Sequence, residues 1–455
     1  MSRNAFADRM NRKAVFRILL WVFGIVLLLF MLVPVLHCRP GHSIKDYGVW
    51  YDAGLRVLQG VEVYPNQWHK FPFMYPPPCA LFLAAVAALG QTGLVVFLVL
   101  LNGAAWICSI LFSTYLATGK RDRGHVLLYA IPNLIVLAYV WGNFFLGQPS
   151  LLLLALLLGA FVSLRRRFDV LAGVLIAIAA AIKAFPVLAI VYLVYRRYWI
   201  ATAALVLTLV FLLFLAPIPF RGYEVAKQDL ERWSSGMLLK YDESGVGQRL
   251  GRSTSWKNQS IWGVSNRLLR HVEYDHSYGP HAPVYANFAD LKFSTVNGII
   301  LAAALTLGLV FIASMPPSAV IFCSRRPVGG VRIKSRWKAS ASQSGAATEE
   351  ERHRTSETDA IEFALLLLLM LIFTPLAFGY LFAWLLYPFT VVVERLLTGR
   401  ASRALLVFAS SAVALLALSL PFRVPAQTYG STFLATLLLF IGLALELFSL
   451  KRMHH

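Results

Sequence analysis

Charged residues are scarce in this sequence: they make up 14% of its 455 residues, whereas hydrophobic residues make up 58%. A soluble protein of this length and balance would expose more apolar surface than water tolerates. Inside a bilayer, a backbone satisfies its hydrogen bonds only as a helix or a closed barrel. Continuous apolar runs such as Leu151–Leu158 and Leu365–Leu369 lack the period-two alternation of barrel strands. We therefore predict an all-α polytopic membrane protein.

Acidic residues are also few, since 22 Asp and Glu stand against 42 Lys and Arg, for a net charge of +20. Such a charge is typical of nucleic-acid binding, but that function needs a basic soluble domain, and none is visible. The cations instead gather in short segments beside apolar runs, as expected for loops that stay in the cytoplasm. We expect membrane lipids, and no nucleic acid, as partners.

Cysteine is rare: the four residues lie far apart, with no spacing typical of a metal site. Cys38 and Cys79 either pair on the outer side or are small residues at membrane boundaries, and we favour the second interpretation. Glu273 and Asp275 have a spacing that suits a divalent metal, but such pairs are common in solvated loops. We expect no metal and no other cofactor.

The N-terminal region lacks the features of a cleavable signal peptide. Its apolar run, about residues 16–36, is too long for a signal, and no small-residue cleavage site follows it. We expect a first span with the N-terminus in the cytoplasm. Five cations precede it: Arg3, Arg9, Arg12, Lys13 and Arg17.

Spanning a bilayer as a helix takes roughly 17–25 residues, and we predict eleven to thirteen transmembrane helices. The candidate spans are 16–36, 92–117, 126–146, 149–164, 169–183, 185–195, 198–217, 296–323, 361–377, 379–393, 404–421 and 430–450. The apolar segment Pro76–Leu89 is too short and is predicted to be re-entrant or interfacial. Segments 169–183 and 185–195 are either two spans or one helix broken at Lys183–Pro186.

Alternating the spans from a cytoplasmic N-terminus gives a consistent topology. Six basic clusters then lie inside: 120–123, 165–167, 196–197, 325–338, 395–403 and 451–452. Loops 37–75 and 218–295 lie outside. The chain divides into an N-terminal bundle with these outer loops (1–323), a flexible cytoplasmic linker (324–360) and a C-terminal bundle (361–455). The linker is first basic, then rich in Ser, Ala and Gly, and finally acidic.

The first outer loop contains a candidate general base. Asp46 and Asp52 lie close to the membrane surface among aromatic residues, where low-dielectric surroundings raise the proton affinity of a carboxylate. An alternative is that Asp46 caps a short interfacial helix that begins at Tyr47. Nearby, Trp68 and Tyr75 are either interfacial aromatics or a wall on which a sugar ring stacks.

Polar residues at two later positions are candidates for substrate contacts. Gln148 lies in a Gly-Gln-Pro turn on the predicted outer side, where its amide is both donor and acceptor. Lys183 interrupts an apolar helix just before Pro186, and such a lysine either binds an anion such as a phosphate or snorkels to the interface. In the long outer loop, Lys257, Arg267 and Arg270 either bind a lipid phosphate or form a solvated face.

Several of these motifs, in this order, resemble those of glycosyltransferase family 87, whose members have a polytopic GT-C fold. The motifs extend from residue 46 to about 270, with a weaker one near Thr374-Pro375. They are Asp46, Tyr51, Ala53, Gly60 and Tyr64, Tyr75–Pro77, Gly147-Gln148, Ala172-Gly173 with Lys183–Pro186, and Asn258–Ser260. Phe378-Gly379-Tyr380 stands where related sequences often carry Trp and His, a role that His69 or His276 would have to fill.

The resemblance implies an inverting hexosyltransferase at the extracytoplasmic face of a bacterial plasma membrane. It would move a sugar, mannose first of all, from a polyprenyl-phosphate donor to a lipid or glycan acceptor, with no nucleotide-binding fold. Asp46 would be the catalytic base. The substrate-binding residues would be Lys183, Gln148, Tyr51, Tyr75, Asn258, Gln259 and Arg267. The alternative function is a transporter or flippase of a lipid-linked or small polar substrate, because such proteins also have many spans and broken helices.

Overall fold

The protein is almost entirely helical, as the composition predicted. A computed structural model describes residues 3–38, 44–64, 73–119, 125–243, 245–246, 252–275, 282–316 and 349–452. These described residues are 79% helical with almost no strand. The all-α polytopic fold class is therefore confirmed.

Eighteen α-helices follow one another in the described part of the chain. They are α1 (Arg3–His37), α2 (Asp46–Leu58), α3 (Pro77–Ala87), α4 (Gly90–Thr118), α5 (Leu127–Leu146), α6 (Ser150–Arg165), α7 (Asp169–Ile182), α8 (Ala189–Tyr195), α9 (Trp199–Val210), α10 (Ile218–Arg221), α11 (Tyr223–Trp233), α12 (Ile261–Leu269), α13 (Phe293–Ser314), α14 (Glu349–Phe373), α15 (Leu386–Leu397), α16 (Arg403–Leu418), α17 (Arg423–Thr428) and α18 (Ser431–Arg452). Strands β1 (Tyr241–Asp242) and β2 (Gly245–Val246) pair antiparallel in the long outer loop.

Seven helical segments of the described chain are long and apolar enough to cross a membrane. They are Ala14–His37, Gly90–Thr118, Leu127–Leu146, Trp199–Arg221, Phe293–Ser314, Gly379–Leu397 and Ser431–Arg452. Shorter apolar helices account for other candidate spans: Ser150–Arg165, Asp169–Ile182, Phe185–Tyr195 and Arg403–Leu418. The predicted eleven to thirteen spans therefore include helices below the usual spanning length, and α3, at 11 residues, is as short as expected.

The predicted break after α7 is present. Lys183 is extended, with φ −149° and ψ 123°, and a 3₁₀ turn over Phe185–Leu188 follows before α8 begins. Pro186 favours this break because it has no N–H to donate and disfavours helical conformation in the residue before it. The break leaves the Lys183 side chain at the end of α7 rather than along a continuous helix.

Aromatic and small residues join the two predicted bundles into one packed core. Phe161 of α6 stacks on Phe363 of α14, with ring centroids 4.3 Å apart. In the N-terminal half, Gly173 of α7 lets this helix approach α9 so closely that a Cβ would lie 2.3 Å from the carbonyl oxygen of Ala201. Close approach at small residues is a common means of helix association in membranes.

Buried ion pairs connect helices near several of the basic clusters. Arg196 pairs with Glu362 of α14, and Arg395 of α15 pairs with Glu446 of α18 at 2.6 Å. The Lys451 ammonium donates to the carbonyl of Ala313, 2.8 Å away. The clusters at 196–197, 395–403 and 451–452 are therefore attached to neighbouring helices.

The linker prediction needs one correction. Residues 349–360, assigned to the flexible linker, are the first part of α14. The remaining linker residues up to 348 lie outside the described part of the chain. The cysteines Cys38 and Cys79 are both free thiols.

Candidate active site

Asp46 is the first residue of α2. The N-cap position before it is taken by Lys45, which has a left-handed φ of 55° and whose side chain does not cap the helix. Asp46 therefore lies inside the helix rather than at the cap position. Its Oδ2 instead accepts a hydrogen bond from the side-chain amide of Gln148, which is 102 residues away in sequence.

The Gln148 turn is fixed by hydrogen bonds from three neighbouring side chains. Trp50 Nε1 donates to the carbonyl of Gly147 at 2.7 Å, Tyr47 donates to that of Phe144 at 2.7 Å, and Asn102 donates to that of Gln148 at 3.1 Å. These contacts explain why the aromatic residues of α2 matter to the site: they clamp the turn that presents Gln148. The Gln148 side chain is 2% exposed.

Gly147 allows this turn for two reasons. Its φ of +76° lies in the left-handed region, which favours glycine. A Cβ at this position would also lie 2.8 Å from the ring of Tyr47. A side chain here would therefore displace the turn.

Tyr75 makes a second hydrogen bond to the Gln148 side chain that binds Asp46. Its hydroxyl donates to Gln148 Oε1 at 3.1 Å, so Gln148 accepts from Tyr75 while it donates to Asp46. The Tyr75 ring lies against Trp50, with centroids 4.2 Å apart. Tyr64, in turn, donates to the carbonyl of Tyr75 at 2.5 Å. The segment that contains Tyr75 is thereby held against α2.

Helix α11 holds the other side of the first outer loop. Arg232 donates to the carbonyl of Tyr64 at 3.2 Å, and Trp233 donates to that of Met74 at 3.3 Å. In the same helix, burial raises the pKa of Asp229, an effect that the Arg221 guanidinium 2.9 Å away opposes. Helix α11 of loop 218–295 therefore holds loop 37–75 in place.

Lys183 lies among aromatic rings. Its Nζ is 5.3 Å from the ring centroid of Tyr380 and 5.9 Å from those of Tyr75 and Phe185. These distances are within the range of cation–π attraction. Asp46, Gln148, Tyr75 and Lys183, four of the residues predicted from sequence, are thus gathered in one place.

A cavity of about 710 Å³ opens beside Asp46. Aromatic residues of α5 and of the segment before α15 line it, among them Trp141, Phe145 and Tyr380. Part of the wall comes from Ser419 and from the Arg423 side chain at the start of α17. This volume suits a ligand of sugar-phosphate size.

The cavity carries more positive than negative charge. Lys45, Lys257 and Arg423 line it together with Asp46. Within the described part of the chain, none of these three cations forms an ion pair. The sequence indicated Lys257 only as one of several loop cations, and neither Lys45 nor Arg423 was predicted as part of the site. A lone arginine within the otherwise apolar stretch after α16 is the signal that could have pointed to Arg423.

Asn258 and Gln259 do not line the cavity. Asn258 Nδ2 donates to the carbonyl of Pro375 at 3.0 Å, and its Oδ1 accepts from the amide of Ala377 at 2.9 Å. Gln259 Nε2 donates to the carbonyl of Gln427 at 2.7 Å. Both side chains are buried. They attach the loop that carries Lys257 to the C-terminal half of the protein.

Arg267 is likewise a structural residue in this arrangement. Its guanidinium is fully buried and donates to backbone carbonyls of two segments. The acceptors are Thr254, Ser255, Asn258, Gln427 and Thr428, at 2.7–3.2 Å. Burial lowers the pKa of Arg267 to about 9, so the group is still charged at neutral pH. The buried guanidinium is separated from the cavity.

Among the described residues, the other positions predicted from the sequence are not part of the cavity wall. Tyr51 is partly buried and packs against the hydrophobic core. Trp68, His69 and His276 lie outside the described residues. Glu273 and Asp275 belong to no group of three or more metal-ligating side chains in the described chain.

Comparison with known protein families identifies the family to which this chain belongs. Residues 73–331, more than half of the chain, match the sequence model of glycosyltransferase family 87. The chain belongs to glycosyltransferase family 87. This membership indicates a membrane glycosyltransferase and disfavours the transporter alternative. No curated protein and no solved structure matched the chain.

The family 87 match covers only part of the site. Tyr75, Gln148, Lys183 and Lys257 lie within the matched residues. Asp46 lies before them, and the C-terminal part of the cavity wall lies after them. The cavity is therefore assembled from matched and unmatched parts of the chain.

Proposed function

We propose that this family 87 protein is an inverting hexosyltransferase that uses a sugar linked to a polyprenyl phosphate. It transfers the sugar to a hydroxyl of a lipid or glycan acceptor on the extracytoplasmic face. The observation that carries the proposal is the position of Asp46 at the wall of a cavity lined otherwise by aromatic rings and cations. A carboxylate, a stacking surface and positive charge are what transfer from a lipid-phosphate sugar requires.

Asp46 acts as the general base in this proposal. Its carboxylate accepts the proton of the acceptor hydroxyl as that oxygen attacks the anomeric carbon. The bond between the anomeric carbon and the phosphate oxygen breaks, and its electron pair leaves with the phosphate. Since one displacement occurs, the configuration at the anomeric carbon inverts.

Gln148 positions this base. Its amide holds Oδ2 of Asp46, while the Tyr75 hydroxyl fixes the other end of the same amide. A carboxylate has several acceptor sites, so the bond from Gln148 leaves others for the acceptor hydroxyl. Fixed orientation of the base contributes to the rate because the reacting groups need no further ordering.

The cavity suits an anionic donor with a sugar ring. The surplus of positive charge favours the phosphate, and aromatic rings such as Tyr380 and Trp141 offer faces for the sugar. The lipid phosphate is already a good leaving group, so acid assistance is less necessary than in glycoside hydrolysis. These properties agree with a donor made elsewhere from a nucleotide sugar.

Mannose is proposed as the sugar because the sequence resembles polyprenol-phosphate-mannose-dependent enzymes. The extracytoplasmic location follows from the charge distribution, which assigns the basic clusters to the cytoplasm and loops 37–75 and 218–295 to the outside. A bacterial plasma membrane is the corresponding setting.

The decisive experiment compares Asp46→Asn with Asp52→Asn in membranes supplied with labelled polyprenyl-phosphate mannose. Asp52 lies on the same helix but is not part of the cavity wall, so its variant controls for a lost charge on α2. We expect labelled lipid or glycan product with wild type and Asp52→Asn, and a loss of about 10²-fold or more with Asp46→Asn. Unchanged transfer by Asp46→Asn would exclude its role as base. Labelled lipid that crosses the membrane with no new glycosidic bond would indicate the transporter instead.

A further inference from the structure

Two cations that line the cavity lie close to the same indole ring. The Nζ of Lys257 lies 5.2 Å from the ring centroid of Trp256, and the guanidinium carbon of Arg423 lies 5.6 Å from the same ring. We infer that Lys257 and Arg423 form the site that binds the phosphate of the lipid donor. This inference rests on the proposed function and names the residues that would hold its leaving group.

The two cations are carried by segments that are bonded directly to each other. Gln259, two residues after Lys257, donates to the carbonyl of Gln427 in the helix that Arg423 begins. Arg267 donates to carbonyls on both sides of this junction, at Ser255 and at Gln427. The backbone segments that carry the two cations are therefore held together before a ligand arrives. Such preorganisation lowers the cost of binding an anion between them.

The charge of the cavity fits a group whose negative charge grows during the reaction. The donor is a phosphodiester with one negative charge, and the product is a phosphate monoester with a charge of about −1.5 to −2 near neutral pH. Lys257 and Arg423 both line the cavity, where their positive charges would stabilise this developing charge. Hydrogen bonds between charged partners are the stronger ones, and an arginine can make two to one phosphate.

Lys183 is placed differently. Its ammonium lies among the rings of Tyr75, Phe185 and Tyr380 and is not among the residues that line the cavity. This position suits a residue that supports the ring of Tyr380, which does line the cavity. The phosphate role that the sequence suggested for Lys183 is therefore assigned to Lys257 and Arg423.

The cavity wall near Arg423 also has apolar surface for a lipid chain. Leu420 is 65% exposed, and Phe145, on the α5 side of the cavity, is 38% exposed. Free phosphate would gain nothing from these side chains, whereas a polyprenyl chain would pack against them. The geometry thus favours a lipid phosphate over inorganic phosphate.

Equilibrium binding of a radiolabelled polyprenyl phosphate tests the inference without any turnover. The full-length protein is placed in phosphatidylcholine nanodiscs, and unlabelled polyprenol and inorganic phosphate serve as competitors. The test variants are Lys257→Gln, Arg423→Gln and their double variant. Two controls accompany them. The double variant Lys257→Arg/Arg423→Lys keeps both positive charges, and Lys292→Gln removes an exposed lysine that is not part of the cavity wall. Thermal unfolding of each variant identifies any that do not fold.

We expect each single variant to weaken binding about ten-fold and the double variant more, since each removes a charge-assisted contact. The charge-keeping variant should recover most of the affinity, and Lys292→Gln should match wild type. Polyprenol and inorganic phosphate should compete poorly. Two results would overturn the inference while leaving the donor class intact: a folded double variant that binds as wild type does, or loss of binding in Lys183→Gln alone. If wild type itself does not bind the polyprenyl phosphate, both the inference and the proposed donor fail.

Discussion

The side-chain amide of Gln148 donates a hydrogen bond to the carboxylate of Asp46, and it connects two outer segments that are 102 residues apart in sequence. The same amide accepts from the Tyr75 hydroxyl at 3.1 Å. Three segments therefore meet at one polar side chain. If Asp46 is the base, its orientation depends on Gln148, and this dependence can be measured.

Gln148→Leu removes both hydrogen bonds of the amide, whereas Tyr75→Phe removes only the bond between Tyr75 and Gln148 and keeps the bond to Asp46. We expect Gln148→Leu to lower kcat by about 10–100-fold, because the base loses its fixed orientation. Tyr75→Phe should have a smaller effect, and the KM for the donor should change little in either variant. Initial rates of mannosyl transfer over a range of donor concentrations give both constants. Equal loss in the two variants would contradict a direct role of the bond to Asp46.

Comparing Gly147→Ala with Gly60→Ala separates the effect of backbone strain on stability from the effect of a displaced turn on activity. Both glycines have a left-handed φ, +76° and +70°, and alanine there costs about 1–2 kcal/mol. A Cβ at Gly147 also meets the Tyr47 ring at 2.8 Å, whereas nothing lies within 4 Å at Gly60. We expect both variants to unfold at lower temperature but only Gly147→Ala to lose most of its transfer activity. A fully active Gly147→Ala protein would show that the turn tolerates movement.

Arg267→Met tests whether the junction between the long outer loop and α17 is structural. The buried guanidinium donates to five carbonyls, and its removal leaves them unsatisfied, at a cost of about 3–5 kcal/mol. Arg270→Met is the control, because Arg270 pairs at 3.9 Å with an exposed Glu243 and should contribute about 1 kcal/mol or less. Thermal unfolding in detergent compares them. Equal stability of the two variants would argue against the structural role of Arg267.

The ion pair between Arg196 and Glu362 joins α8 to α14 in the interior, where both side chains are almost fully buried. Arg196→Met leaves the glutamate without its partner, and we expect a loss of about 3–5 kcal/mol in the free energy of unfolding. The double variant Arg196→Met/Glu362→Met should recover most of that loss, since no uncompensated charge remains. A double-mutant cycle from unfolding curves gives the coupling. Additive effects would mean that the two charges do not interact.

Composition and the order of short motifs determined the fold class and the family from the sequence alone. Long apolar runs without period-two alternation leave only a helical membrane protein, because the backbone must satisfy its own hydrogen bonds in hydrocarbon. The break at Lys183 was likewise predictable, because Pro186 restricts the local backbone whatever surrounds it. The predicted role of Asp46 as base remains a prediction.

Only the tertiary structure decided which polar residues lie at the cavity and which hold the fold together. Asn258, Gln259 and Arg267 were predicted to bind substrate, whereas Lys257 was only one of several candidate phosphate cations. The first three are buried among backbone carbonyls, while Lys257 lines the cavity. Arg423 joins Lys257 only because α17 folds back onto the long outer loop. Local sequence fixes backbone preference and hydropathy, whereas the burial of a charged side chain depends on contacts between segments far apart in the chain. Those contacts place the phosphate site proposed for this glycosyltransferase.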